Sequence, residues 1–394
     1  MPFKPRFSYF ISSRETPVSQ NSDLWLQSLP LSRHFSGENS AISLGHGEYF
    51  QAIRNFFEND GNEIICRALT RRLQQDVKAH DIREIQICLV KHGEFYHPAR
   101  IEVLTHRHKI SFVLNVAVSE SGFKTINREY SCLLKLNDEF PVCFLPEVFG
   151  FGEVASTGDR KIQMFLGHWF EGYQEFHVSR DPLDNRNKIL VWDDIRSHYF
   201  LSLEQSAELY RQAARILTYY YNVESFEQIF PWHHGAGDFV VKIDKADLDL
   251  KLISVRGYAP LFTNPNQLKN GEKATEVILQ ALLIFFLNLS IRMRLDRYDG
   301  VGDIVWADGP VVQSTLDGVI DGLALKPSVA SMPDSLDNCF RYYLSVCTEE
   351  DLYELSNALV ETFNRRAPEV RVVKQHLKGH VEELSRVIGL QFHR

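Results

Sequence analysis

The residues best suited to chemistry are gathered at Phe230-Pro231-Trp232-His233-His234-Gly235-Ala236-Gly237-Asp238, followed at once by the apolar Phe239-Val240-Val241. Imidazole titrates near neutrality, so His233 or His234 in a short polar loop can take or give a proton, and Asp238 can act as a base or bind a cation. A plainer reading stands beside each. One histidine can satisfy backbone groups while the other packs under Trp232, and Asp238 can tie the loop together through backbone N–H groups. Arg256, beside Gly257-Tyr258, is a candidate anion-binding group or an ion-pair partner, Glu129 being one choice. The run Asp296 to Asp303 invites a calcium reading but lacks alternating carboxylates and a closing Glu. The neighbouring Asp303-Ile304-Val305-Trp306-Ala307-Asp308-Gly309 offers acidic and aromatic groups for a cationic ligand, or a turn-rich connector. No Gly-x-Ser-x-Gly, HExxH or Walker pattern occurs, so serine-hydrolase, zincin and P-loop readings have no local support.

The elements that must position these groups follow from periodicity. Residues 1–45 mix Ser, Pro, Arg and single aromatics and predict an extended arm, and two helical segments follow between Gly47 and Lys78, split by Asn59-Asp60-Gly61. These helices are expected to cap a sheet. Residues 85–90, 99–104 and 110–118 read as three strands of an antiparallel meander. The apolar groups Ile126, Tyr130, Leu133 and Leu134 then take helical spacing, and strand-like runs return at 148–154 and 162–166. Residues 168–177 read as a connector and 180–196 as a polar insertion. Beyond them Ser202-Leu203-Glu204-Gln205 carries capping-box chemistry, and Leu203, Ala207, Tyr210, Ala214, Leu217 and Tyr221 mark one face of a long helix. A strand at 239–243 is expected to pair with 250–253. The rest is helical, with a buried segment at 274–292, a capped helix after Thr348 and a final helix carrying Val370 to Ile388.

With 44% hydrophobic and 24% charged residues the chain has the balance of a globular protein that builds real cores. A net charge of −8 leaves no electrostatic footprint for nucleic acid or an anionic membrane, so neither is expected as a partner. The six cysteines are scattered without a CxxC pair, which predicts reduced thiols and a cytoplasmic setting. The basic N-terminus is not followed by the apolar run of a secretory signal, and the apolar run 278–289 falls short of the ~20 residues of a membrane span.

This order of elements resembles the protein-kinase-like fold, and most closely its aminoglycoside and choline phosphotransferase branch, over about residues 84–390. The resemblance implies an α+β, two-lobed architecture: a small antiparallel-sheet N-lobe at 84–167 with five strands and one helix, a mostly helical C-lobe at 168–394, and a helical extension at 1–83. In that family the third strand offers a Lys to nucleotide phosphates, and a Glu on the next helix holds it. Here Asn115 stands at the Lys position, while Arg128-Glu129-Tyr130 keeps the Glu. Leu145-Pro146-Glu147-Val148 resembles the fourth strand. The family's catalytic loop reads His-Gly-Asp, then four residues to a metal-binding Asn, then a short strand. Matching that strand to Phe239-Val240-Val241 puts Asp238 at the Asn and His233 at the catalytic Asp. A rival alignment stretches His-Gly-Asp over His234 to Asp238 and keeps Asp238 as the base. The first is preferred, because Asp238 abuts the strand. The second metal-binding Asp falls on Ser254, followed closely by Arg256. The first turn, Lys91 to Pro98, has one glycine where the family has a phosphate loop, with Lys91 as a substitute charge.

The resemblance therefore implies a kinase-like protein with degenerate motifs, acting as a pseudokinase or ligand-binding scaffold. The alternative is a non-canonical ATP-dependent phosphotransferase for a small molecule, using Asp238 and His233. The expected cofactor is ATP with Mg²⁺ or else none; where it binds, Asp238 is the expected metal ligand, and Lys91, Asn115, Glu129, Ser254 and Arg256 are the expected cofactor contacts. A nucleotide or other small molecule is the expected ligand. A protein partner docking on residues 1–80 is a third expectation.

Overall fold

The computed structural model describes residues 5–11, 16–20, 22–30, 44–93, 95–156, 160–193, 197–232, 237–245, 247–261 and 271–392, without the side chains of 271–274. The chain divides into two compact units, Met1–Glu171 and Gly172–Arg394. The fold class expected from the sequence is the one observed: α+β, with an antiparallel-rich sheet followed by a mostly helical C-terminal part.

In the first unit β1 (Arg6–Ile11) leads through the short α1 (Asp23–Leu26) to α2 (His46–Glu58) and α3 (Glu63–Leu73). Then come β2 (Ile82–Leu89), β3 (Ala99–Thr105), β4 (Lys109–Ala117), α4 (Glu120–Glu139), β5 (Val148–Ala155) and β6 (Lys161–His168). The sheet order is β1-β2-β3-β4-β6-β5, antiparallel except for β1, which runs parallel to β2. Helix α4 lies between β4 and β5 of this six-stranded sheet. Alternation along the strands turns Ile85, Ile87, Ile101, Val103, Phe112, Leu114 and Val116 to one face, where they bury against Tyr49, Phe50, Ile53 and Phe57 of α2 and Ile65, Ala68 and Leu69 of α3. The two early helices thus cap the sheet, and their apolar faces are spent inside this core. The boundary drawn at 83/84 is crossed both by this core and by the β1–β2 pairing. Helix α4 buries Gly122, Ile126, Glu129, Leu133 and Leu136, a 4-3-4-3 stripe in which one member is a carboxylate.

In the second unit the segment expected as a connector and polar insertion forms a three-stranded sheet of β7 (Glu175–Arg180), β8 (Asn187–Trp192) and β9 (Tyr199–Phe200). Its charged residues hid the short buried stripe of Val178, Ile189 and Val191. Helix α5 (Leu203–Tyr219) starts with the expected capping box: Gln205 N–H donates to Ser202 Oγ at 3.2 Å, and Ser202 N–H donates to Gln205 Oε1 at 3.0 Å. Three short ladders follow, pairing β10 (Glu227–Ile229) with β13 (Tyr258–Pro260), β11 (Phe239–Asp244) with β12 (Asp247–Leu252), and β14 (Leu295–Arg297) with β15 (Ile304–Trp306). The helices α6 (Gly271–Met293), α7 (Val311–Ala324), α8 (Leu336–Ser345), α9 (Glu349–Glu361) and α10 (Pro368–Phe392) complete the unit.

Helix α7 packs on α5 through Gly318 and Gly322: a Cβ at 318 would fall 2.1 Å from the Arg211 carbonyl oxygen, so the two backbones meet where no side chain fits. Thr275–Met293 of α6 is long and apolar enough by composition to cross a bilayer, yet 61% of it is buried inside the structure, as in a core helix. All six cysteines are free thiols, Cys88 and Cys339 buried and Cys143 exposed.

Candidate functional site

In the second unit, Asp238 sits immediately before β11, and its carbonyl accepts from Ile253 N–H at 2.7 Å, extending the β11–β12 ladder by one step. The hairpin is fixed to α5 by Gln212, whose amide donates to the Leu248 carbonyl at 2.6 Å and accepts from Leu250 N–H at 3.0 Å. Asp238 is 1% exposed. Its Oδ1 accepts from Arg256 Nη2 at 2.7 Å, a charge-assisted bond across which both formal charges are offset. After β12 the chain passes Ser254, partly buried, and Val255, fully buried, to Arg256 and Gly257. At Gly257 a second approach begins. Phe230 N–H donates to the Gly257 carbonyl at 3.1 Å, and a Cβ on Gly257 would lie 2.7 Å from the Phe230 carbonyl oxygen. That contact opens the β10–β13 pairing and sets the path of the Arg256 backbone. Trp232 is buried edge-on against Phe239, and the Arg292 guanidinium lies between the rings of Phe230 and Phe363, at 4.5 and 4.6 Å. His233 and His234 lie outside the described residues.

Arg256 therefore has Asp238 as a partner. A divalent cation at Asp238 would have to share or displace a guanidinium already in hydrogen-bonding contact, and among the described residues no three His, Cys, Asp or Glu side chains are grouped to hold a metal ion.

In the first unit, Asn115 lies on β4 opposite Phe165 of β6 and is partly buried, on the face turned away from α2 and α3. Glu129 is fully buried in α4, and the Tyr96 hydroxyl donates to its Oε2. Lys91 is exposed at the start of the β2–β3 turn. The turn itself is strongly organised. Gly93 N–H donates to the Tyr96 carbonyl at 2.9 Å, His92 Nδ1 and His97 Nδ1 are hydrogen-bonded at 3.0 Å, one ring donating and the other accepting, and His97 N–H donates to the Val116 carbonyl at 2.9 Å. The buried Tyr49 hydroxyl donates to the His97 carbonyl at 2.7 Å, and His46 Nδ1–H donates to the Gln27 carbonyl at 2.9 Å nearby. Burial pushes the His97 imidazole down to about 4, and burial with the neighbouring His46 lowers His92 as well. Tyr96 as a partner of Glu129 was not read from the sequence, where Arg256 was one expected partner. The signal available was Phe95-Tyr96 inside a turn bracketed by His92 and His97.

Two further constellations resolve into structural roles. The Trp306 ring is stacked by His376 at 5.1 Å, and the Arg294 guanidinium stands 5.4 Å from its centre, so the chain supplies its own cation at the aromatic group expected to receive one. Arg294 Nε donates to His380 Nδ1 at 3.1 Å, which leaves the ring proton on Nε2, donating to Ser290 Oγ; Ser290 in turn donates to the Leu287 carbonyl. With its proton directed that way the imidazole cannot activate the serine, and burial holds His380 down at about 3. Asp296 accepts from the N–H groups of Val178 and Arg297, and Asp299 from Ser179, so these carboxylates tie the 298–303 loop to β7.

No protein-family model matches the chain, and no curated protein matches it in sequence. Among solved structures it is similar to WaaP in complex with acyl carrier protein, at 8% identity and a TM-score of 0.24, over 73% of this chain and 83% of that one. At that level of likeness the functional reading rests on the geometry.

Proposed function

We propose that this chain is a kinase-like scaffold that works by binding a small ligand, with a nucleotide as the first candidate, rather than by orthodox phosphoryl transfer. The observation that supports this most is the pairing of buried Asp238 with Arg256 at 2.7 Å. Phosphoryl transfer depends on positioned metal ions that neutralise developing charge and on a base for the nucleophile. A carboxylate whose charge is already offset by a guanidinium supplies less of both. Asn115 at the position of the phosphate-binding Lys and Ser254 at that of the second metal ligand point the same way. In this reading no metal is required.

The test is thermal denaturation of the full chain with ATP alone, with ATP and Mg²⁺, and with ATP and Mn²⁺. A ligand that binds only the folded state at 100 times its Kd adds about 2.7 kcal/mol, an easily read shift. The expected result is a stabilisation by ATP that metal does not increase. Metal-dependent stabilisation lost in Asp238→Ala, together with ADP formation, would replace the scaffold by a non-canonical phosphotransferase using Asp238 and His233. No response to nucleotide in any condition would remove nucleotide from the reading.

A further inference from the structure

We propose that the Arg292 guanidinium is the recognition group of an oxyanion-binding site at the corner where α9 meets α10, taking a phosphate or carboxylate group of a small ligand. Arg292 stands in the last turn of α6 and is partly exposed. Its planar group is held in place from several directions. The ring centres of Phe230 and Phe363 lie 4.5 and 4.6 Å from its central carbon, and Nε donates to Asn288 Oδ1, one turn back on α6, at 3.1 Å. The outer edge is left over. Among the described residues Nη1 and Nη2 donate to no group, no carboxylate stands within 4 Å of them, and neither nitrogen is sealed from solvent.

A cation in this position is costly to keep, since buried charges are ordinarily paired. Burial lowers Arg292 to about 10, and Glu369, the carboxylate that opposes this, is too distant for an ion pair. The two rings return part of the cost and fix the plane of the fork, so its outer nitrogens are preorganised for the parallel N–H···O bonds that carboxylates and phosphates accept. The neighbouring surface draws anions. Between residues 361 and 374, Arg365, Arg366, Arg371 and Lys374 stand against Glu361 and Glu369, on a chain whose net charge is −8. Glu361 is already taken by Lys374 at 2.6 Å, whereas Arg371 has no side-chain partner among the described residues. Arg365, Pro368, Arg371 and Lys374 line a groove of about 760 Å³ that begins two residues beyond Phe363, with room for a molecule rather than a bare ion. The inference does not rest on the nucleotide reading, because inorganic phosphate tests it without a base, and a failure of ATP to bind leaves it standing.

The test is isothermal titration calorimetry of the full chain with inorganic phosphate, pyrophosphate and malonate, at ionic strength held constant with chloride, beside thermal melts of the protein in chloride alone. Arg292→Met keeps a long apolar stem between the two rings and removes the charge; Arg292→Lys keeps the charge and removes the fork. The expected result is saturable binding of at least one of the three anions by the wild type, weakened about 10-fold or more in Arg292→Lys and lost in Arg292→Met. In chloride Arg292→Met should melt at or above the wild-type temperature, because it relieves a desolvated charge that only the ligand answers. Tightest binding of a phosphate probe assigns the site to phosphate, and tightest binding of malonate assigns it to carboxylate. Absence of saturable binding with all three anions, or binding by Arg292→Lys as tight as by the wild type, would overturn the proposal. An Arg292→Met protein that melts well below the wild type in chloride would overturn it equally, since the guanidinium would then be a structural tie between α6 and the two rings.

Discussion

Truncating Arg256 should cost more than truncating Asp238, and the reason is burial. Asp238 is 1% exposed and the Arg256 side chain 22%. Arg256→Ala leaves a carboxylate without its guanidinium where water scarcely reaches, at a cost of about 3 kcal/mol. Asp238→Ala leaves a guanidinium that can turn partly into solvent, at about 1–2 kcal/mol. The double variant loses both charges, so its cost should fall short of the sum by about 1.5–2 kcal/mol, the coupling expected of two groups in direct contact. Arg256→Lys keeps the charge but not the planar fork and should sit between wild type and Arg256→Ala. For a unit of roughly 220 residues, 3 kcal/mol lowers Tm by about 6–12 °C. Urea denaturation followed by tryptophan fluorescence reads this, because Trp192, Trp232 and Trp306, three of the five tryptophans, lie in the second unit. A loss under about 1 kcal/mol for Arg256→Ala, or a double variant equal to the sum, would refute the claim that the pair is a tight, desolvated contact.

Acid should unfold the chain early through its buried histidines. With folded values of about 4 for His97 and about 3 for His380 against ~6.5 when unfolded, the unfolded state binds protons first as pH falls. Stability is therefore complete above pH ~6.5 and is lost on the way down to about 4 and 3, on the order of 3 kcal/mol for His97 alone. Urea midpoints between pH 7.5 and 4.5 should fall less steeply in His97→Asn, and parallel slopes would count against this account. Gly318→Ala should destabilise by about 3 kcal/mol, the upper end for overpacking, because its Cβ meets the Arg211 carbonyl oxygen at 2.1 Å. Gly379→Ala on α10, where nothing lies within 4 Å, should stabilise by up to ~1 kcal/mol, and thermal melts of the two variants should move in opposite directions. Deleting residues 1–80 should unfold the first unit, as read by circular dichroism, rather than merely remove a docking surface. It strips the fully buried Phe50, Ile53, Phe57, Ile65 and Leu69, which at ~2 kcal/mol each approach the whole stability of a domain.

The sequence by itself determined what depends on neighbours along the chain. The alternation of Phe112, Leu114 and Val116 made β4, the step through Tyr210, Ala214 and Leu217 made the buried face of α5, although Leu203 is exposed and Tyr221 lies past the helix end, and Ser202 with Gln205 marked where that helix begins. The β11–β12 hairpin was legible for the same reason, since its strands are joined by a turn of two residues. What tertiary structure decided was which groups meet. β1 is a strand only because the edge of β2, some 75 residues later, supplies its hydrogen bonds, and no local pattern encodes that partner. Gly318 and Gly322 look like helix-weakening residues until α5 is laid against them. Glu129 could be placed on a helix and Arg256 beside a glycine, but periodicity gives each residue a face, not a partner. The partners, Tyr96 for Glu129 and Asp238 for Arg256, came from the packing of a turn on a helix and from the register of four short strands. Those pairings, made by burial of charge in a low-dielectric site, are what turn a stretch resembling a catalytic loop into a stretch whose carboxylate is already answered.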